Sequence, residues 1–175
     1  IIPLSEWVLK SACEQNKAWC DAGYPPKTVA VNISPKMFKQ KNFISMVTDI
    51  LEETGFNPQY LEIEITEETM LTDADDTIEK MDALRNIGVS FAIDDFGTGY
   101  SSLAYIKMLP IKMLKIDRTF VHDIFTNSDD KAIVSAIVQM AHNMGIEVLA
   151  EGVETEGQQA YLNSLGCDKL QGYLY

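Results

Sequence analysis

Two adjacent aspartates, Asp94 and Asp95, close an apolar run in "FAIDDFGTGYSS" (91–102), and a glycine-bracketed loop follows at once. Like charges side by side repel, and a core strand gains nothing from them. Other apolar runs end in the same way: Glu64 in "YLEIEIT", Asp117 in "KMLKID", Glu151 in "EVLAEG" with Glu154 close behind, and the amide Asn32 in "TVAVNIS". Lys115 stands just before Asp117, and Gln171 lies in the last such segment. This set is rich in oxygen and contains no cysteine or histidine, which suits the hard divalent cations Mg²⁺ or Mn²⁺. Neighbouring carboxylates can flank two metals, and the cations would offset the Asp94–Asp95 repulsion. A paired-metal site lowers the pKa of bound water and neutralises a phosphoryl group during in-line displacement. Hydrolysis of a phosphate ester is therefore the chemistry expected. Lys115 would position the water or stabilise developing charge, and a spare carboxylate would act as general base.

Such residues need a scaffold that brings strand ends together. Strands are predicted at 28–34, 60–66, 89–96, 112–117, 147–152 and, shorter, 169–174, spaced about 30 residues apart as in βαβ units. Between them run amphipathic segments of helical period. Their apolar faces are predicted as Phe43, Met46, Val47, Ile50 and Leu51; then Ile78, Met81 and Leu84; then Ile133, Ile137, Met140, Ala141 and Met144; and last Tyr161, Leu162 and Leu165. Gly55, Gly88, Gly145 and Gly166 end these helices, as C-cap glycines do.

Strand–helix alternation implies parallel strands with right-handed crossovers. An open doubly wound sheet and a (β/α)8 barrel both fit. Parity decides for the α/β barrel, a TIM-like fold represented by about six strands. Glu62 and Glu64 alternate with Leu61, Ile63 and Ile65; Ala92 and Asp94 alternate with Phe91 and Ile93. One face of each strand is apolar, and the other turns polar toward its C-terminal end. A sheet covered on both sides would be apolar on both faces, whereas a barrel places function at its C-terminal mouth.

Competing readings are weaker. "DFG" (95–97) occurs without the other protein-kinase motifs. "GTGYSS" lacks the lysine of a phosphate-binding P-loop, and "GVETEG" has the wrong spacing for a dinucleotide fingerprint. His122 and His142 have no partner spacing and read as structural. The methionines, Trp7 and Trp19 lie mostly at helical spacing and read as core. Three cysteines without a C-x-x-C pair point to a reducing, cytoplasmic compartment. A net charge of −12 argues against a nucleic-acid polymer or anionic membrane as partner. No stretch has the roughly 18 uninterrupted apolar residues that span a bilayer.

"VNIS" (31–34), "EITE" (64–67), "DDFGTGYSSL" (94–103), "KID" (115–117), "AEGVE" (150–154) and "QGY" (171–173) occur in that order. Together they resemble the EAL-domain phosphodiesterases, which cleave cyclic di-GMP to pGpG in bacterial signalling, and the resemblance covers essentially the whole chain. It implies a (β/α)8 barrel with a two-metal site at its mouth. By resemblance, Asn32, Glu64 and Asp94 are metal ligands and Asp95 serves the second metal. Lys115 and Asp117 organise the water and second metal, and Glu151 is the general base. Glu154 and Gln171 are supporting positions. Glu67 anchors the loop Phe96, Gly97, Thr98, Gly99 to Ser102, which shapes the site and joins dimer contacts in the family. A homodimer and an upstream sensory or cyclase-like domain are likewise implied.

The Glu-Ala-Leu motif that names the family is absent from the sequence. Its glutamate is a ligand in the family, and "IIPLSEWVL" matches the helix that follows it. The expectation is that residues 1–175 are a single partial domain of a longer protein, and that these residues alone hydrolyse poorly. The alternative function is a catalytically silent cyclic di-GMP receptor. Such relatives usually lose several of these carboxylates, and this chain keeps them.

Overall fold

Alternating β-branched residues and helical apolar stripes build the elements where the sequence predicts them. The computed structural model describes residues 2–71, 74–99 and 103–175. In chain order these form α1 (Ile2–Asp21), β1 (Val29–Asn32), α2 (Pro35–Phe38), α3 (Phe43–Thr54), β2 (Leu61–Thr66), α4 (Glu67–Leu71), α5 (Ala74–Asn86) and β3 (Ser90–Phe96). They continue as α6 (Leu103–Ile106), β4 (Met113–Ile116), α7 (Arg118–His122), α8 (Ser128–Asn143), β5 (Glu147–Ala150), α9 (Glu156–Ser164) and β6 (Lys169–Leu170). The sheet order is β1-β2-β3-β4-β5-β6. That order never reverses, as the wall of a (β/α) barrel requires and a doubly wound sheet does not. Gly55, Gly88, Gly145 and Gly166 all take positive φ just beyond their helices, so the cap reading holds.

The chain divides into two compact units. The first comprises residues 1–92 and 108–110. Here β1 and β2 pair in parallel, with Asn32 opposite Glu64. Helix α1 packs on α3 and β1 through a buried edge of Leu9, Cys13 and Asn16. The second unit comprises residues 93–107 and 111–175. In it β5 pairs in parallel with β4 and with β6, and α8 covers β4 and β5.

Four expectations are corrected. Strand β6 stops at Leu170 rather than 174. The backbone bends at Gly172 and turns after it, and it is packed so closely there that a side chain would lie 2.1 Å from the Val153 carbonyl. The buried face of α8 is Val134, Ile137, Val138 and Ala141; Ile133 and Met144 are exposed, because the stripe facing β4 and β5 is rotated by one residue. In α5 the buried stripe runs through Thr77, Lys80, Met81 and Leu84. Lys80 enters it because its ammonium donates to the Phe38 carbonyl at 3.0 Å and to Asp76 at 2.6 Å. Trp7 and Trp19 are not core: they are 65% and 52% exposed on α1, whose edge toward the core is the Leu9 side. Among the described residues no helix is long and apolar enough to cross a membrane.

Candidate metal centre

In the first unit the parallel register sets Asn32 beside Glu64, and the Asn32 side-chain amide donates to Glu64 Oε2 at 2.9 Å. Glu64 is buried although it is a carboxylate, whereas Asn32 is exposed. Glu62, on the same face of β2, is also buried and accepts from the Ser90 hydroxyl. Glu67 opens α4 directly after β2 and is buried. The loop it is expected to anchor reaches Tyr100, Ser101 and Ser102, which lie outside the described residues.

The second unit gathers most of the predicted set. Asp94 is buried and points with the parity of Ala92. Asp95 should point the opposite way, but its φ is +54°, the only positive φ among the described non-glycine residues. This left-handed residue breaks the alternation and returns its carboxylate to the side of Asp94. From sequence that turn falls to Gly97 and Gly99; the aspartate itself makes it, since Asp tolerates this region better than most residues. Gly97 has a separate function: at φ +100° a Cβ there would lie 2.9 Å from the Phe120 ring. The Thr98 hydroxyl ties the loop back to the Asp95 carbonyl at 2.8 Å. Phe96 is buried beneath the loop, and Gly99 is exposed.

Carboxylate oxygens of Asp94, Asp95 and Glu151 lie within 4.8 Å of one another. Lys115, only 5% exposed, stands between them, with Nζ 2.9 Å from Asp94 Oδ1 and 2.7 Å from Glu151 Oε1. Strand pairing makes this reach possible, because the Glu151 amide continues the β4–β5 ladder onto the Ile116 carbonyl at 3.1 Å. Asp117 caps α7, accepting from the Thr119 amide at 2.8 Å and from the Thr119 hydroxyl.

The carboxyls of Asp95 and Asp117 titrate in opposite directions. Burial, then the charges of Asp94, Asp117 and Glu151 and a hydrogen bond to Asp117, raise Asp95 above the usual carboxylate range. Burial also pushes Asp117 upward, but hydrogen bonds from Thr119 and Asp95 and the charge of Arg118 outweigh it and bring Asp117 below that range. The donor set, three clustered carboxylates without sulfur or imidazole, fits a hard divalent cation.

Glu154 and Gln171 border this cluster. Both line, with Arg118, Glu151, Gly152, Gly172 and Tyr173, a cavity of about 380 Å³. A second cavity of about 250 Å³ is lined by Arg118, Thr119, His122, Asp123, Gly152 and Glu154. Gln171 is held by its backbone, which donates to Ala150 at 2.9 Å and accepts from Val153 at 3.0 Å. The Glu154 amide donates to Gln158 Oε1 at 2.8 Å. Sequence reasoning does not single out Gln158, Gly152 or Arg118. A capping box, Thr155 to Gln158, is the available signal for the first. The two histidines read as structural are each paired with a carboxylate, His122 with Asp123 and His142 with Asp168.

The EAL domain family model matches residues 1–175. The bifunctional diguanylate cyclase/cyclic di-GMP phosphodiesterase MucR of Pseudomonas aeruginosa is 45% identical over 174 residues, covering 99% of this chain and 25% of that protein. The cyclic di-GMP phosphodiesterase NbdA of the same organism is 42% identical, covering 98% of this chain and 22% of that protein. A solved structure of the MucR phosphodiesterase in complex with c-di-GMP superposes with a TM-score of 0.95 at 44% identity, covering 99% of this chain and 70% of the other. The chain thus spans about a quarter of the length of these two curated relatives. With the family model matching from end to end and the strand-end residues in place, the chain belongs to the EAL domain family.

Proposed function

We propose that this chain is part of a single EAL-type domain that hydrolyses cyclic di-GMP to pGpG with Mg²⁺ or Mn²⁺, two ions per site. The observation that carries the reading is the Asp94–Lys115–Glu151 arrangement, with Asp95 beside it. The activities for which MucR and NbdA are named and the c-di-GMP bound to the MucR phosphodiesterase support the substrate. In the second unit Asp94 would hold one cation and Asp95 with Asp117 the other; in the first unit the adjacent Asn32 and Glu64 are candidate ligands. When bound, the cations supply positive charge to the phosphoryl oxygens and acidify water.

The residues of the chain do the rest. Glu151 takes the proton of the attacking water, and the Lys115 ammonium fixes Glu151 and Asp94 in one geometry while adding charge near the developing negative oxygens. Thr119 holds Asp117. Glu154 and Gln171 support substrate at the cavity. The domain works in the cytoplasm, as a homodimer, downstream of a sensory or cyclase-like domain. The whole domain should convert cyclic di-GMP to pGpG when Mg²⁺ or Mn²⁺ is added, and residues 1–175 alone should do so poorly. Glu151→Gln should lower kcat about 100-fold, within the range of general-base removal, with little change in cation affinity. A change confined to cation affinity would reassign Glu151, and binding without turnover by the whole unsubstituted domain would make it a receptor.

A further inference from the structure

We propose that Arg118 holds the second phosphate of the substrate, the one not being cleaved; this rests on the cyclic di-GMP reading. The mouth of the second unit is strongly acidic, with Asp94, Asp95, Asp117, Glu151 and Glu154 around it. A ligand with two phosphodiesters brings two negative charges there, and cations at the carboxylate cluster serve the phosphate that reacts. The other phosphate needs its own positive group. Arg118 lines both adjoining cavities and is the only arginine or lysine among their described lining residues.

Its placement is built into the backbone. Gly152 has φ +72°, and a Cβ there would lie 2.6 Å from Arg118 Cβ and 3.3 Å from its Cα. Gly152 therefore lets the Arg118 stem cross directly over the turn that follows Glu151. The side chain is exposed, and apart from the charge it places beside Asp117 it makes no hydrogen bond or ion pair with a described residue. A guanidinium whose base is fixed but whose donors are uncommitted suits bidentate phosphate recognition, a task a lysine performs only as a point charge.

The test is cyclic di-GMP binding by calorimetry with Mg²⁺, in a Glu151→Gln background so that the nucleotide stays intact. Arg118→Gln should raise Kd about 10- to 100-fold, the range for a charge-assisted contact, with an unchanged melting temperature. It should also weaken the dependence of Kd on salt, whereas Arg118→Lys should keep that dependence and recover part of the affinity. Equal Kd for Arg118→Gln and its background overturns the inference and leaves the substrate reading standing. A weaker Kd with unaltered salt dependence overturns the phosphate contact in favour of a guanine edge. No binding by the background protein overturns the substrate reading and this inference with it.

Discussion

Lys115 neutralises Asp94 and Glu151 together, so removing it exposes two carboxylates to each other and to Asp95. Breaking a buried ion pair from one side costs about 3–5 kcal/mol. Lys115→Met should lose about that much stability in chelator, and added Mn²⁺ should restore part of it; denaturant unfolding with and without the cation is the check. Asp95 behaves in the opposite sense. Its folded carboxyl binds a proton more tightly than in the unfolded chain, so its ionised form costs stability at neutral pH, and acidification through the raised pKa relieves that cost. Asp117 is depressed, so it contributes stability above the ordinary carboxylate range and loses it only as pH falls through its lower value. Asp95→Asn should therefore stabilise the cation-free protein at neutral pH, which thermal unfolding in chelator checks. The gain should fade toward about pH 4, and cation binding should weaken. Asp94 was legible because strand parity and residue type point the same way, and Lys115 and Glu151 because charged residues stand at the ends of apolar runs. The left-handed turn at Asp95 was not, because neighbouring glycines offered a simpler place for it.

At the scale of elements, β5 ends where the site begins, and α9 holds the turn between them. Gln158 is buried, accepts from the Glu154 and Thr155 amides and donates to the Val121 carbonyl at 3.1 Å. Gln158→Ala removes all three bonds and leaves buried partners unsatisfied, so it should cost about 2–4 kcal/mol. Thr155→Ala, which removes one cap bond, should cost about 1 kcal/mol. Thermal unfolding of the two variants gives the comparison. Strand positions were readable because Val, Ile and Leu recur there with a period of two, which a helix does not produce. The burial stripes of α5 and α8 were not fully readable. Lys80 is polar by type yet buried by its bond to Phe38, and Val134 and Val138 are as apolar as the residues chosen instead. Periodicity locates a helix more firmly than it locates the face that a tertiary neighbour selects.

The whole molecule carries a net charge of −12, and much of the charge that a cation would meet lies at one mouth. A ligand that binds only the folded state adds RT ln(1 + [L]/Kd), about 2.7 kcal/mol at one hundred times Kd. Saturating Mg²⁺ or Mn²⁺ should therefore raise the melting temperature, and chelator should reverse the rise. Monovalent salt at equal ionic strength should give a smaller shift, and Asp94→Asn should abolish most of the specific part. Composition showed this acidity at once, but not its focus. Trp7 and Trp19 show the converse: helical spacing suggested core, and only the packing of α1 places them outside.

The handedness of Asp95 also bears on how this site can change over generations. Of the common residues, glycine, asparagine and aspartate settle most readily into that backbone state. Aspartate codons reach both of the other two by a single base change. The nearest tolerated neighbours in sequence space thus keep the strand and its turn while discarding the charge. On the proposed function, hydrolysis would be lost there in one mutational step that keeps the fold, whereas most other substitutions at the position would add backbone strain of about 1–2 kcal/mol.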